Sequence, residues 1–468
     1  MAHIAQTLLR GAAALSLLSL FTVPTAARAD RARVSSLGGV DLLIEDDSDI
    51  YLNPAHIGVY SNRAWFSLGV TGGAGVVGFD PMGGGAVRIK DMVSLGVVLN
   101  RSPSQYTFDK ALWPVLEQYI PGGPGGTLSG PAGPAEETAP LRFPVDLFIG
   151  VGNKDRPVRV GLNIYYAGGA FREIEIEDRN DDGLDNETTV RRQSHLFNVT
   201  LGVAGGRQTD RIRPEGWLRA GVVTAWADRI SERETSGGTF EETVDRILAL
   251  DRDLRIGGGA RVHIGDPTAL RGIVVSPGFQ YDVAFGAFRF DDNLVNPDSA
   301  AEDAIRRVTG HSARLGVGVA GRVDDLRVFG TGSLTLDAVN RFDQTRANND
   351  EVEQNIDDYV AFAVPELSVG AEYRVLPVLL VRAGVKSTVG GGRTINTVRN
   401  NEGPEETPSS IDVAQTIDVL PVNVTFEANG GLGLQVRRFS LDATFGGLFL
   451  GQAGTSFISR IDLSFNFD

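Results

Sequence analysis

The residues best suited by type and spacing to hold a ligand lie in one acidic run, Asp178-x-Asn180-x-Asp182-Gly183-Leu184-x-Asn186. Oxygen donors at alternate positions, the Leu184 carbonyl and a glycine for the sharp turn have the spacing that wraps a chain around calcium. The twelfth position, where a bidentate Glu would close such a loop, is Thr189, so Glu187 or another residue would have to complete the shell. Two readings stand: a calcium site on Asp178, Asn180, Asp182 and Leu184, or a solvated Asp/Asn-rich loop. Calcium is the one cofactor the sequence admits. If it binds, it should slow proteolysis within residues 173–191, and Asp182→Ala should remove that protection; equal cleavage with calcium and with chelator would dispose of the site.

Catalytic chemistry has little to build on. His56, His195, His263 and His311 stand singly in different segments, and no Gly-x-Ser-x-Gly elbow accompanies them. The chain has no Cys, which excludes thiol catalysis and disulfides and suits passage through an oxidising compartment. Its net charge is −15 and no basic block is present, so nucleic acid is not an expected partner. The protein is read as a non-enzyme.

Two further stretches carry apolar chemistry. In Phe108–Ile120, Leu112, Val115, Leu116 and Tyr119 fall on one helical stripe, and Thr239-x-x-Glu242 makes a capping box ahead of Val244, Ile247 and Leu248. Such loop helices would either pack on each other or bind a hydrophobic ligand.

The elements that must position these residues follow from periodicity. From Ala64 onward the chain repeats short runs of period-two alternation. In one, Val158, Val160, Leu162, Ile164 and Tyr166 oppose Arg159, Gly161, Asn163 and Tyr165. Tight connections (Lys90-Asp91, Lys154–Pro157, Val323–Asp325, Leu376-Pro377) alternate with long polar ones (102–142, 173–191, 231–250, 291–310, 341–360, 391–418), as periplasmic and outer loops do in outer-membrane barrels. Counting gives about 16 strands with both termini on the periplasmic side. The expected fold is therefore all-β: a transmembrane antiparallel β-barrel of about 14–16 strands with an N-terminal luminal hatch. Residues 1–29 read as a secretory signal peptide ending in Ala27-Arg28-Ala29, residues 30–62 as the hatch and 63–468 as the barrel. No run of about 18 apolar residues follows the leader, so no helix is expected to span a bilayer. Outer-membrane lipid and, during assembly, the outer-membrane insertion machinery are the expected partners.

The hatch assignment rests on Val34–Gly58. Its acids Asp46, Asp47 and Asp49 and its Asn53-Pro54-Ala55 turn interrupt the alternation, so the segment cannot face lipid. Inside the barrel its carboxylates would meet the inward arginines Arg159, Arg219, Arg255, Arg261, Arg374 and Arg382. The run Leu37-Gly38-Gly39, Asp46-Asp47-Ser48-Asp49 and Tyr51-Leu52-Asn53-Pro54-Ala55 resembles the N-terminal hatch of the FadL family of outer-membrane transporters, and the related PorV-like barrels. That resemblance implies a 14-stranded barrel taking up long-chain fatty acids or other hydrophobic small molecules. It also implies ligand contacts on the loop residues above, and a lateral opening where a strand is distorted. Ser276-Pro277-Gly278, inside an otherwise continuous strand, is where a bulge is expected, because proline cannot donate to the ladder and a closed barrel has no free edge. Three functions remain open: hydrophobic-ligand uptake, a PorV-like secretion or structural scaffold, and a general diffusion porin.

Overall fold

Period-two alternation gives a strand one apolar and one polar face, and a bilayer accepts that pattern only when the sheet closes so that no backbone edge meets lipid. The computed structural model describes residues 33, 37, 47–73, 76–90, 92–101, 142–177, 186–234, 240–266, 271–290, 301–347, 352–402, 410–446 and 458–467. Sixteen strands close into one antiparallel barrel in chain order. Four short ones come first, β1 (Arg63–Gly73), β2 (Val76–Ile89), β3 (Val93–Leu99) and β4 (Arg142–Val151). Ten long ones follow: β5 (Val158–Glu177), β6 (Asn186–Gly205), β7 (Ile212–Glu234), β8 (Phe240–Gly265), β9 (Arg271–Phe290), β10 (Ala301–Val323), β11 (Leu326–Ala347), β12 (Val352–Leu376), β13 (Leu379–Glu402) and β14 (Ser410–Val436). The wall ends with β15 (Phe439–Gly446) and β16 (Ile458–Asn466), and β16 pairs with β1 from Arg63↔Asn466 to Gly69↔Arg460.

Side-chain exposure confirms which face meets lipid. On β7, Leu218 is 68% exposed between Trp217 at 3% and Arg219 at 4%. The same split separates exposed Val158, Val160 and Tyr166 on β5 from buried Arg159, Asn163 and Tyr165. Apolar side chains therefore form an outer belt, and polar ones fill the lumen.

The long polar loops expected between strands are largely strand. β8 runs for 26 residues and β14 for 27, where about 9–11 suffice to cross a bilayer. Past the hydrocarbon both faces of a strand can meet water, so alternation fades while the backbone ladder continues. The helix expected after Thr239, a residue outside the described ones, is replaced by strand from Phe240 onward. Val244, Ile247 and Leu248 lie on β8, with Val244 opposite Ile230 and Leu248 opposite Ala227, and no helix forms there. Leu112, Val115, Leu116 and Tyr119 lie outside the described residues, as do residues 1–29.

The bulge expected at Pro277 is also absent. β9 pairs with β10 without a shift through Gly316↔Gly278, Val317↔Pro277 and Gly318↔Ser276, and its register to β8 is the same at Arg261↔Gly278 and Ile264↔Val275. On the β8 side no ladder pair falls opposite Pro277 and Ser276, so the proline interrupts the pairing there while the register holds. Register shifts fall elsewhere, between Ala363 and Glu366 around Pro365, and opposite Gly390 and Gly392 near Pro421.

Candidate functional site

Two 3-10 turns precede the barrel and lie inside it: η1 (Asp47–Tyr51) and η2 (Pro54–Gly58). The sequence explains their form locally. Asn53 caps η2, accepting from the Ala55 N–H at 3.1 Å, and Pro54 occupies the first position, where a missing N–H costs nothing. Asn53, Pro54, Ala55, His56 and Ile57 are all buried. The turns sit at the end of the barrel that carries the tight turns, the periplasmic end by the loop rule.

The wall is shaped to receive η2. Inward positions on neighbouring strands are glycines, Gly96 on β3, Gly150 on β4, Gly161 on β5 and Gly202 on β6, and the turn fills the room their missing side chains leave. A Cβ at Gly161 would overlap the Pro54 carbonyl and the Ala55 amide, one at Gly202 the Asn53 side chain, and one at Gly150 the Ile57 side chain. Ile57, fully buried, packs with Ile50, Val59, Tyr60, Met82, Val98 and Phe148, and Leu52 packs on Trp217.

Charge supplies the second half of the docking. Arg261 on β8 donates to Asp49 at 2.6 Å and to Glu215 on β7. Glu215 also receives Asn53 Nδ2 at 3.0 Å, His56 Nε2 at 2.5 Å and His263 Nε2 at 2.8 Å; His263 Nδ1 lies 2.7 Å from Ser276 Oγ. Burial pushes the Asp49 carboxyl up from its ordinary value, against the pull of Arg261 and His56. Across the lumen, Arg33 donates to Glu372 at 2.7 Å while Leu37 packs on Phe329. Glu372 is shared with Arg382, which also meets Asp442. Further ion pairs join wall strands, Arg219 with Asp282 at 2.8 Å and Arg101 with Asp146 at 2.7 Å, and the Arg101 guanidinium lies 4.6 Å from the Tyr51 ring centroid of the plug.

Of the expected hatch residues, Asp49, Asn53, Pro54 and Ala55 take part. Asp47 opens η1, and Asp46 lies outside the described residues. The calcium candidates Asp178, Asn180, Asp182 and Leu184 also lie outside them, and among the described residues no three metal-type side chains converge to hold an ion. Sequence reasoning missed the cluster itself. His56 and His263 looked solitary, yet they meet on one carboxylate, and Glu215 was not singled out. The glycines were a readable signal, since Gly96, Gly150, Gly161 and Gly202 all sit at inward parity.

Closed sheet, apolar belt and internal plug define the class: a transmembrane β-barrel occupied at one end by its own N-terminal segment. No family model matches the chain, and no curated relative does. Among solved structures it is similar to the ferric-catecholate import receptor Fiu of E. coli K12 in its open form, at 9% identity and a TM-score of 0.31, covering 86% of this chain and 81% of that one. It is also similar to the siderophore receptor PiuA of Acinetobacter baumannii, at 8% identity and 0.33, covering 86% and 81%, and to the FrpB iron transporter of Neisseria meningitidis, at 8% and 0.24, covering 88% and 82%. A likeness this distant transfers no ligand or mechanism. The resemblance to the FadL family is corrected by the fold itself: the barrel closes with sixteen strands in place of that family's fourteen.

Proposed function

We propose that the protein is a non-enzymatic, plug-gated channel for uptake of small molecules across the outer membrane. The observation that carries this reading is the N-terminal segment seated in the periplasmic end of the lumen by Arg261–Asp49, Arg33–Glu372 and the glycine seat of η2. A diffusion porin has no use for such a seat. Hydrophobic ligands, the class expected from the sequence, are supported by one stretch of lining: Ile50, Tyr51, Tyr60, Trp65, Phe66 and Met82 form the apolar part of a cavity between η1 and the β1–β16 seam, which Arg63 and Asp462 also line. The remaining described lumen presents ion pairs, which favours small amphipathic solutes over long acyl chains.

Deleting residues 30–62 should leave insertion intact and raise single-channel conductance, with faster entry of labelled solutes into proteoliposomes. A deletion protein that inserts normally and conducts no better than the full chain would remove the gate from this reading. If it conducts freely but admits polar solutes and excludes hydrophobic ones, the ligand class is wrong and the gate stands.

A further inference from the structure

The outer face of β5 to β8 carries chemistry that passage through the lumen does not use. Tyr166 on β5 and His195 on β6 share the outward parity of the lipid-facing belt. The Tyr166 hydroxyl lies 2.8 Å from His195 Nδ1, and the two rings stack. Trp226 on β7 extends the layer, its ring centroid 5.4 Å from that of His195. Amphipathic aromatics of this kind collect where hydrocarbon gives way to headgroups. A tilted strand climbs about 2.5 Å per residue, so about ten residues cross an apolar band of about 25 Å. Counted from the tight-turn ends Val158 and Gly205, Tyr166 and His195 stand at that outer boundary.

Arginines stand above this aromatic shelf. Arg172 and Arg191, both exposed, are direct ladder partners on β5 and β6. By the same climb they lie about 10 Å higher, at headgroup depth. The register carries their row on through Asp228 of β7 to Arg246 of β8, so the row holds Arg172, Arg191 and Arg246 against the single Asp228. The rows on either side, through Gln193 below and Thr189 above, are uncharged. Among the described residues of these strands, carboxylates return at this parity in Glu187, Glu232 and Glu242, one row farther out. Like charges directly opposite on a ladder are destabilising, and an anion set between them reverses the sign.

We propose that the outer face of β5 to β8 binds a membrane lipid that carries a phosphate monoester on its headgroup, gripped by Arg172 and Arg191 with its apolar part resting on Tyr166, His195 and Trp226. Two guanidinium forks match the several oxygens and the double charge of such a phosphate, where a zwitterionic headgroup brings its own cation and gains less. The shelf beneath the arginines selects a lipid over a soluble anion, because it lies where an acyl chain meets its headgroup. The β9–β10 hairpin repeats the shelf: the Tyr281 hydroxyl lies 2.8 Å from His311 Nδ1 with the rings stacked, and Arg307 precedes His311 by the same four positions that separate Arg191 from His195. There Arg307 faces Ala287, with its guanidinium 5.9 Å from the Phe342 ring centroid, so that hairpin has the shelf without the facing pair of cations. The lipid site is independent of what passes through the lumen.

The test uses the full chain in phosphatidylcholine nanodiscs doped with diphosphoryl lipid A, with the lipid that stays on the released protein counted by native mass spectrometry. Wild type should retain lipid A in preference to phosphatidylcholine. Arg172→Gln combined with Arg191→Gln should lower that retention about thirtyfold, the worth of two cations at a membrane surface. In pure phosphatidylcholine the double variant should be at least as heat-stable as wild type, because a like-charge pair has gone; the stabilisation that lipid A gives wild type should be lost. Arg307→Gln should retain lipid A as wild type does. If the double variant does not insert, Arg191→Gln alone carries the same comparison. Equal retention by wild type and the arginine variants would overturn the proposal, as would an equal loss in Arg307→Gln, which would mark a diffuse charge effect. Displacement of the lipid by inorganic phosphate would make the occupant a soluble anion and overturn it too.

Discussion

Valine at Gly161 should empty the mouth of the barrel. The added Cβ lands on the backbone of Pro54 and Ala55, and a carbonyl held by the Asn53 cap cannot swing aside as a side-chain tip could. Overpacking a fitted interior costs about 1–3 kcal/mol and more when backbone must move, so the docked fraction should fall by at least about tenfold. The barrel should survive, because position 161 faces the lumen, and its ladder partners Gly150 on β4 and Gly202 on β6 leave space once the turn has left. Conductance should rise to the level of the 30–62 deletion with heat stability of the barrel close to wild type. Gly430→Val, on β14 and away from η2, where the nearest atom to an added Cβ is the Arg382 carbonyl oxygen at 3.8 Å, serves as the control. A Gly161→Val protein as closed as wild type would mean that the seat does not decide docking.

Arg261→Met should release the plug by a different route. It takes from Asp49 and Glu215 the guanidinium they share, and breaking a buried pair by removing one partner costs about 3–5 kcal/mol, against the roughly neutral outcome of replacing both partners. The expected loss of docking is therefore about a hundredfold or more. Adding Asp49→Asn and Glu215→Gln to Arg261→Met removes the orphaned charge and should recover much of the seal. Failure of the triple variant to close better than the single would show that Arg261 acts through shape.

The barrel was legible because lipid enforces alternation. Leu218 between Trp217 and Arg219 announces its face from the sequence alone, and the tight turns fix where strands reverse. Strand ends were not legible, since the upper halves of β8 and β14 are written in polar residues such as Asp251-Arg252-Asp253 and Thr416-Ile417-Asp418, which a loop would carry equally well. Thr239-x-x-Glu242 misled in the same way: a capping box is a local preference, and pairing with β7 from Phe240 onward, joined by β9 from Leu248, outweighs it. The plug was half legible. Asn53-Pro54-Ala55 marked it, the carboxylates pointed to inward arginines as partners, and Arg261 donates to Asp49. Which histidines would meet was beyond reach, because His56 and His263 are 207 positions apart and only closure of the sheet brings β7 and β8 over η2.

The wall is much taller on one side than the other. β5 to β14 have 20 or more residues each, while β1 to β4, β15 and β16 have 14 or fewer. At about 3.3 Å per residue and a tilt near 40°, a strand of 25 residues climbs roughly 60 Å, against about 25 Å for the apolar band. The tall arc is thus a parapet that clears the headgroup layer by tens of ångströms, and its hydrogen-bonded ladder needs no lipid to keep it upright. Among the described residues that crest stands farthest from the membrane, so it is the part of the wall that a large particle or an antibody would meet at the greatest height. Exchange of crest residues between strains could then alter what the cell's exterior displays while leaving the lumen, the plug and its seat untouched.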